Sequence, residues 1–145
     1  MRTHRKAVQP RFVEPVLLGY KRTTIRPMPR LKTSIPQEGD TIELYRWTGK
    51  PYRSKQDVIG RFRVACDACP VEVHEACVIV DRESETPLVW SPNAERGDAN
   101  LFARWEGFGS WEGMVEWFRE AHGLPFRGLL IQWEPKNLGY EEGRK

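Results

Sequence analysis

Two stretches of this 145-residue chain carry residue types that could do chemistry. The first is GYKRTTIR, residues 19 to 26, which sets Lys21, Arg22 and Arg26 around the hydroxyls of Thr23 and Thr24, behind Gly19. A lysine acts as a base only when burial or a neighbouring cation lowers its pKa, and a threonine is a nucleophile only when a base takes its proton. In an extended segment Arg22, Thr24 and Arg26 share one face, and a turn after Gly19 can swing Lys21 towards Thr24. From these residue types alone, the plainer alternative is a solvated basic loop whose threonines satisfy their own backbone. The second stretch is CDACPVEVHEAC, which spaces Cys66, Cys69, His74 and Cys77 in a way that raises zinc. The flanking apolar residues favour strands instead. If VIGRFRVAC and PVEVHEACVIV pair as a hairpin, His74 lies roughly 16 Å down a strand from Cys69, at about 3.3 Å per residue. Zinc ligands must converge on one point, so the expectation is no metal and half-buried residues on a sheet.

The elements that must position these residues are legible in outline. RFVEPVLLGY reads as a helical turn begun near Pro15 and stopped at Gly19. TTIRP is extended ahead of Pro27, and PMPRLKTSIPQEGD is a loop. TIELYRWTG, VIGRFRVAC, PVEVHEACVIVD and PLVW read as four strands. A short helix capped near Asp98 follows. SWEGMVEWFREAHG is the clearest helix, with Ser110 as N-cap, an apolar face of Met114, Val115, Trp117 and Phe118, and Gly123 as the stop. GLLIQWEP is a closing strand. This order predicts one α+β domain, a small and mostly antiparallel β-barrel with flanking short helices, over residues 12–134. Residues 1–11 are expected to be a flexible basic tail and 135–145 a polar one.

Charge is distributed unevenly. Nine cations stand against Glu14 alone in residues 1–32, whereas nine acids face four arginines in residues 81–120. Such a one-sided field suits phosphate or nucleic acid; the plainer alternative is that the two parts attract each other. No apolar run approaches a membrane span, and the N-terminus lacks the apolar stretch of a signal peptide. Three cysteines, an odd number, fit a reduced compartment. A cytoplasmic, monomeric protein without membrane contact or cofactor is expected.

GYKRTTIR resembles the G-x-K-x-x-T-x-R signature of the ASCH domain, a PUA-like family, at Gly19, Lys21, Thr24 and Arg26. LFARWEGFGSWEGMVEWF is similar to the family's later segment at Ala103, Glu106, Gly107 and Phe108. The Gly39-Asp40 turn and GLLIQW extend the resemblance over residues 12–134. It implies a cleft beside a barrel that binds RNA or a modified nucleoside. It also implies, for the small members that remove the acetyl group from N4-acetylcytidine, Thr24 as nucleophile, Lys21 as its base and Glu106 as proton donor or orienter, with Glu112 as a fallback. Arg26 would hold a carbonyl or phosphate. Gly19, Tyr20, Arg22 and Trp105 join it as expected substrate contacts, with Tyr45 and Trp47 as further stacking candidates. A ribonuclease is the other activity the family implies, but His4, His74 and His122 stand in unpromising places for it.

Overall fold

The computed structural model describes residues 2–31, 34–92 and 98–138. It is α+β, with two mostly antiparallel sheets and three short helices. The first sheet runs β1 (Thr3–Ala7), β3 (Thr41–Trp47), β4 (Gln56–Arg63); the second runs β2 (Thr23–Arg26), β8 (Phe126–Gln132), β5 (Cys69–Val73), β6 (Val78–Val80), β7 (Leu88–Trp90). The backbones of the two sheets bond where Val64 bridges Trp133, with flanking bonds from Ala65 N–H to the Gln132 carbonyl and from Glu134 N–H to the Arg63 carbonyl, and the Arg26 side chain of β2 reaches the Ala7 carbonyl of β1. They do not close into a barrel. The hydrogen-bond ladders leave β1 and β4 as edges of the first sheet and β2 and β7 as edges of the second.

The expected basic tail is corrected by β1. THRKA has poor strand propensity, yet it forms five rungs parallel to β3, from Thr3 opposite Thr41 to Ala7 opposite Tyr45. Side chains supply what propensity lacks. His4 bonds Asp40 at 2.9 Å, and Arg5 and Arg61 bond the two oxygens of Glu43 at 2.6 and 2.8 Å. Asp40 also accepts from the backbone of Arg2 and Gln37. Its carboxyl is held at about 2, mainly by the His4 bond, against the opposing effect of burial.

Helix α1 (Pro10–Leu17) starts five residues before the expected Pro15. Pro10 occupies the first turn, where its missing N–H costs nothing, and Pro15 is tolerated inside. Helix α2 (Ala99–Trp105) is capped by Asp98, which accepts from the Asn100 and Leu101 N–H groups. Helix α3 (Trp111–Ala121) is capped by Ser110, and it buries Trp111, Met114, Val115 and Phe118. With the nearly continuous buried run Leu129, Leu130, Ile131 and Trp133, these side chains fill the core between helices and sheets. Of the expected C-terminal tail, residues 139–145 lie outside the described residues, as do Lys32, Glu95 and Arg96.

The expected single strand PVEVHEACVIVD is two strands. His74 N–H bonds the Cys77 carbonyl and closes a turn between β5 and β6. Nor do β4 and β5 form a hairpin: β5 pairs with β8 on one side and β6 on the other. The reason is register. Val71 and Val73 are fully buried in β5 only when it lies beside the apolar β8.

Candidate functional site

The site is built where the end of α1, the start of β2 and the end of α2 meet. Gly19 leaves α1 with φ of +86°, a left-handed turn that reverses the chain. Lys21 N–H then bonds the Pro15 carbonyl, and Arg22 is pinned on both sides, its N–H to Trp105 O at 2.8 Å and its carbonyl to Trp133 N–H at 2.9 Å. From there β2 runs antiparallel to β8, Thr23 opposite Gln132 and Thr24 opposite Ile131. On the other side, Glu106 caps the C-terminus of α2 and Gly107 turns the chain with φ of +100°.

These two turns bring four polar side chains to one cavity of about 190 Å³, roughly six water molecules' share of the liquid. Lys21, Thr24, Arg26 and Glu106 line it, among Phe12, Phe108, Trp117 and Trp133. Lys21 is buried, and its Nζ donates to the Thr23 carbonyl at 2.7 Å and the Glu106 carbonyl at 2.5 Å. It also lies 4.7 Å from the centre of the Phe12 ring. Burial pulls its pKa down to about 8; the charge of Glu106 opposes this, while Arg26 and Arg11 reinforce it. A neutral amine has two N–H bonds and one lone pair. The two carbonyls take both N–H bonds, so deprotonated Lys21 keeps its position and leaves the lone pair for a proton.

Glu106 is held differently. Its Oε2 accepts a short bond from the hydroxyl of Thr23. Burial raises its pKa, and the neighbouring Lys21, the Thr23 bond and Arg26 only partly offset that. Arg26 donates from Nε to the Thr24 hydroxyl at 3.3 Å and from a terminal nitrogen to the Ala7 carbonyl at 2.7 Å. Arg11 lies 4.9 Å over Phe108, at the outer side of the Phe12–Phe108 pair, and no ion pair neutralises it among the described residues. The walls are therefore mostly aromatic and apolar, with Gln9 and His122 also in the lining, and among the described residues that line the cavity Glu106 is the one acid beside Lys21 and Arg26.

Of the sequence-derived candidates, Lys21, Thr24, Arg26 and Glu106 come together. Gly19, Tyr20, Arg22 and Trp105 do not reach the cavity wall. Gly19 serves as a turn. Arg22 is exposed and contributes its backbone, Tyr20 lies under Arg104 at 5.2 Å, and Trp105 packs edge-on against Trp90 at 5.6 Å. Glu112 is exposed in the first turn of α3. Sequence reasoning missed Thr23 as the partner of Glu106, because neighbouring strand residues face opposite ways and only the pairing with β8 decides which hydroxyl meets the carboxylate. It also treated Trp117 as core alone, although its ring forms part of the cavity wall.

The cysteine–histidine stretch has different neighbours. His74 bonds Glu72 at 3.0 Å, and Arg82 bonds the other oxygen of that carboxylate. Cys66, Cys69 and Cys77 are free and half-buried, and burial raises the Cys69 thiol to about 11. No group of three or more His, Cys, Asp or Glu among the described residues is placed to hold a metal. No helix among the described residues is long and apolar enough to cross a membrane. No family model matches the chain, and no curated protein or solved structure is significantly similar to it.

Proposed function

We propose that the cavity binds a modified pyrimidine nucleoside, free or within RNA, as the ASCH-like motif implies. One observation carries this reading. Two segments some eighty residues apart deliver Lys21, Thr24, Arg26 and Glu106 to a single aromatic-walled cavity, at the positions of the motif. Aromatic walls suit the faces of a base, and the four polar groups suit its edge and carbonyl oxygens. The two-sheet α+β frame accommodates this reading as an opened relative of the PUA-like barrel.

A second reading, hydrolysis of an N4-acyl amide, is favoured by the state of Lys21. A buried amine near pKa 8 is partly neutral at physiological pH and is a competent base. In this reading Lys21 takes the proton of Thr24, whose oxygen attacks the acyl carbon. The tetrahedral oxyanion collapses, the C–N bond breaks, and the Lys21 ammonium returns a proton to the departing cytosine nitrogen. Water then cleaves the acyl-threonine ester, releasing the acid and restoring the hydroxyl. Glu106 acts at the acyl oxygen as proton donor or orienter as charge develops there, and Arg26 holds the ring carbonyl.

Incubation with N4-acetylcytidine and chromatographic detection of cytidine tests the catalytic reading. Turnover is expected to fall by about 10²–10⁴ in Lys21→Ala and in Thr24→Ala. Turnover that survives both substitutions sinks this mechanism. Calorimetric binding without turnover leaves the cavity a recognition site.

A further inference from the structure

A second cluster lies at the tip of the β3–β4 hairpin. Tyr45 and Trp47 alternate onto one face of β3, with ring centres 5.8 Å apart and edge-on. Trp47 meets Tyr52, on the connecting loop, at 5.1 Å. Tyr52 is 87 % exposed and sits at φ of +63°, a left-handed conformation that a bulky residue adopts only under constraint. The loop supplies that constraint. Thr48 N–H bonds the Lys55 carbonyl, Gly49 N–H bonds the Ser54 hydroxyl, and that hydroxyl donates to the Lys50 carbonyl. An aromatic side chain is thus held open to solvent on a loop closed by hydrogen bonds.

The charge around it has one sign. Residues 46–55, RWTGKPYRSK, hold four cations and no acid. Arg46 is paired with Asp57 at 3.3 Å, but no carboxylate among the described residues pairs with Lys50, Arg53 or Lys55. The ladder of rings begins beside the cavity: Ala7 and Val8 line it, Ala7 is in register with Tyr45, and Val8 N–H bonds the Tyr45 carbonyl at 2.8 Å. Arg5 lies 4.5 Å over the Tyr45 ring, adding a cation to the same row.

We propose that this hairpin is a stacking platform for single-stranded nucleic acid, with bases on Trp47 and Tyr52 and phosphates on Lys50, Arg53 and Lys55. Every base has a π face, so such a surface is tolerant of sequence, and unpaired cations beside it attract a polyanion rather than an apolar peptide. The proposal deepens the nucleoside reading of the cavity by making the bound residue one unit of a strand whose neighbours rest on the hairpin.

The test is fluorescence anisotropy with a short labelled single-stranded RNA of cytidine and uridine, across a range of salt. Tyr52→Ala is expected to weaken binding about 5- to 150-fold, the range set by loss of one stacked base, while Tyr52→Phe retains it. Replacing Lys50, Arg53 and Lys55 together by Gln is expected to flatten the log–log salt dependence by about 2. Calorimetric binding of free N4-acetylcytidine is expected to be unchanged in Tyr52→Ala. Oligonucleotide affinity indifferent to these substitutions overturns the platform, as does a duplex binding as tightly as the single strand or no binding by the unaltered protein. Loss of nucleoside binding in Arg26→Leu with oligonucleotide binding kept, or its absence throughout, bears on the cavity and leaves the platform standing.

Discussion

Lys21 is costly to bury, and the cost has a pH signature. Its folded pKa of about 8 lies below the ordinary value of 10.5, so between these values the unfolded chain binds more protons than the folded one. Stability contributed by this group therefore rises with pH from about 8 to 10.5, and below pH 8 the full penalty of the buried charge is present. Urea unfolding at pH 7 and pH 10 is expected to show a rise that is smaller in Lys21→Met by the share this lysine contributes. Turnover, if the site hydrolyses amides, is expected to climb through about pH 8 as the amine loses its proton. Thr23 acts through Glu106. Its hydroxyl bond lowers a carboxyl pKa that burial raises, so Thr23→Val is expected to move upward the limb of the pH profile that Glu106 sets. A Thr23→Ser variant, which keeps the hydroxyl, is expected to restore the original profile; a merely structural role for Thr23 would change rates without moving it. The motif residues Lys21, Thr24 and Glu106 were legible because resemblance picks them by identity and spacing. Thr23 was not, because strand register alone distinguishes two adjacent threonines.

Turns and strand edges fix how these groups meet. Gly107 is required twice over: φ is +100°, and a Cβ there would lie 2.9 Å from both the Lys21 Cδ and the Phe12 ring. Gly107→Ala is expected to cost about 1–3 kcal/mol in denaturant unfolding and to weaken ligand binding, because Lys21 must move. Asp40 ties β1 to the sheet through His4, Arg2 and Gln37. With its carboxyl at about 2 against an ordinary 3.8, it contributes stability above pH 4 that is lost as pH falls towards 2. Asp40→Ala is expected to lower stability by about 2 kcal/mol at neutral pH and to abolish that acid dependence. Helix α3 could be read from its sequence because Ser110, the apolar face and Gly123 agree locally. Strand β1 could not, because THRKA is made a strand by partners nearly forty residues away, and the β5–β6 turn was hidden inside an unbroken run of strand-forming residues.

The charge asymmetry along the chain resolves into two uses in three dimensions. Some N-terminal cations are consumed by the fold, as Arg5 is by Glu43. Others gather around the cavity: Lys21 and Arg26 in its wall, Arg11 above Phe108, and Lys6 near enough to Arg26 for the two charges to repel, with no ion pair to any of the four among the described residues. The cations of the β3–β4 hairpin extend that field beyond the cavity. A polar anion-bearing or carbonyl-rich ligand is what such a molecule attracts. The most direct test of the central claim is calorimetric titration of the unaltered protein, Thr24→Val and Arg26→Leu with N4-acetylcytidine. Saturable one-to-one binding that both substitutions weaken by tenfold or more is the predicted result. Binding equally strong in all three proteins, or none in the unaltered one, would contradict a nucleoside site in this cavity.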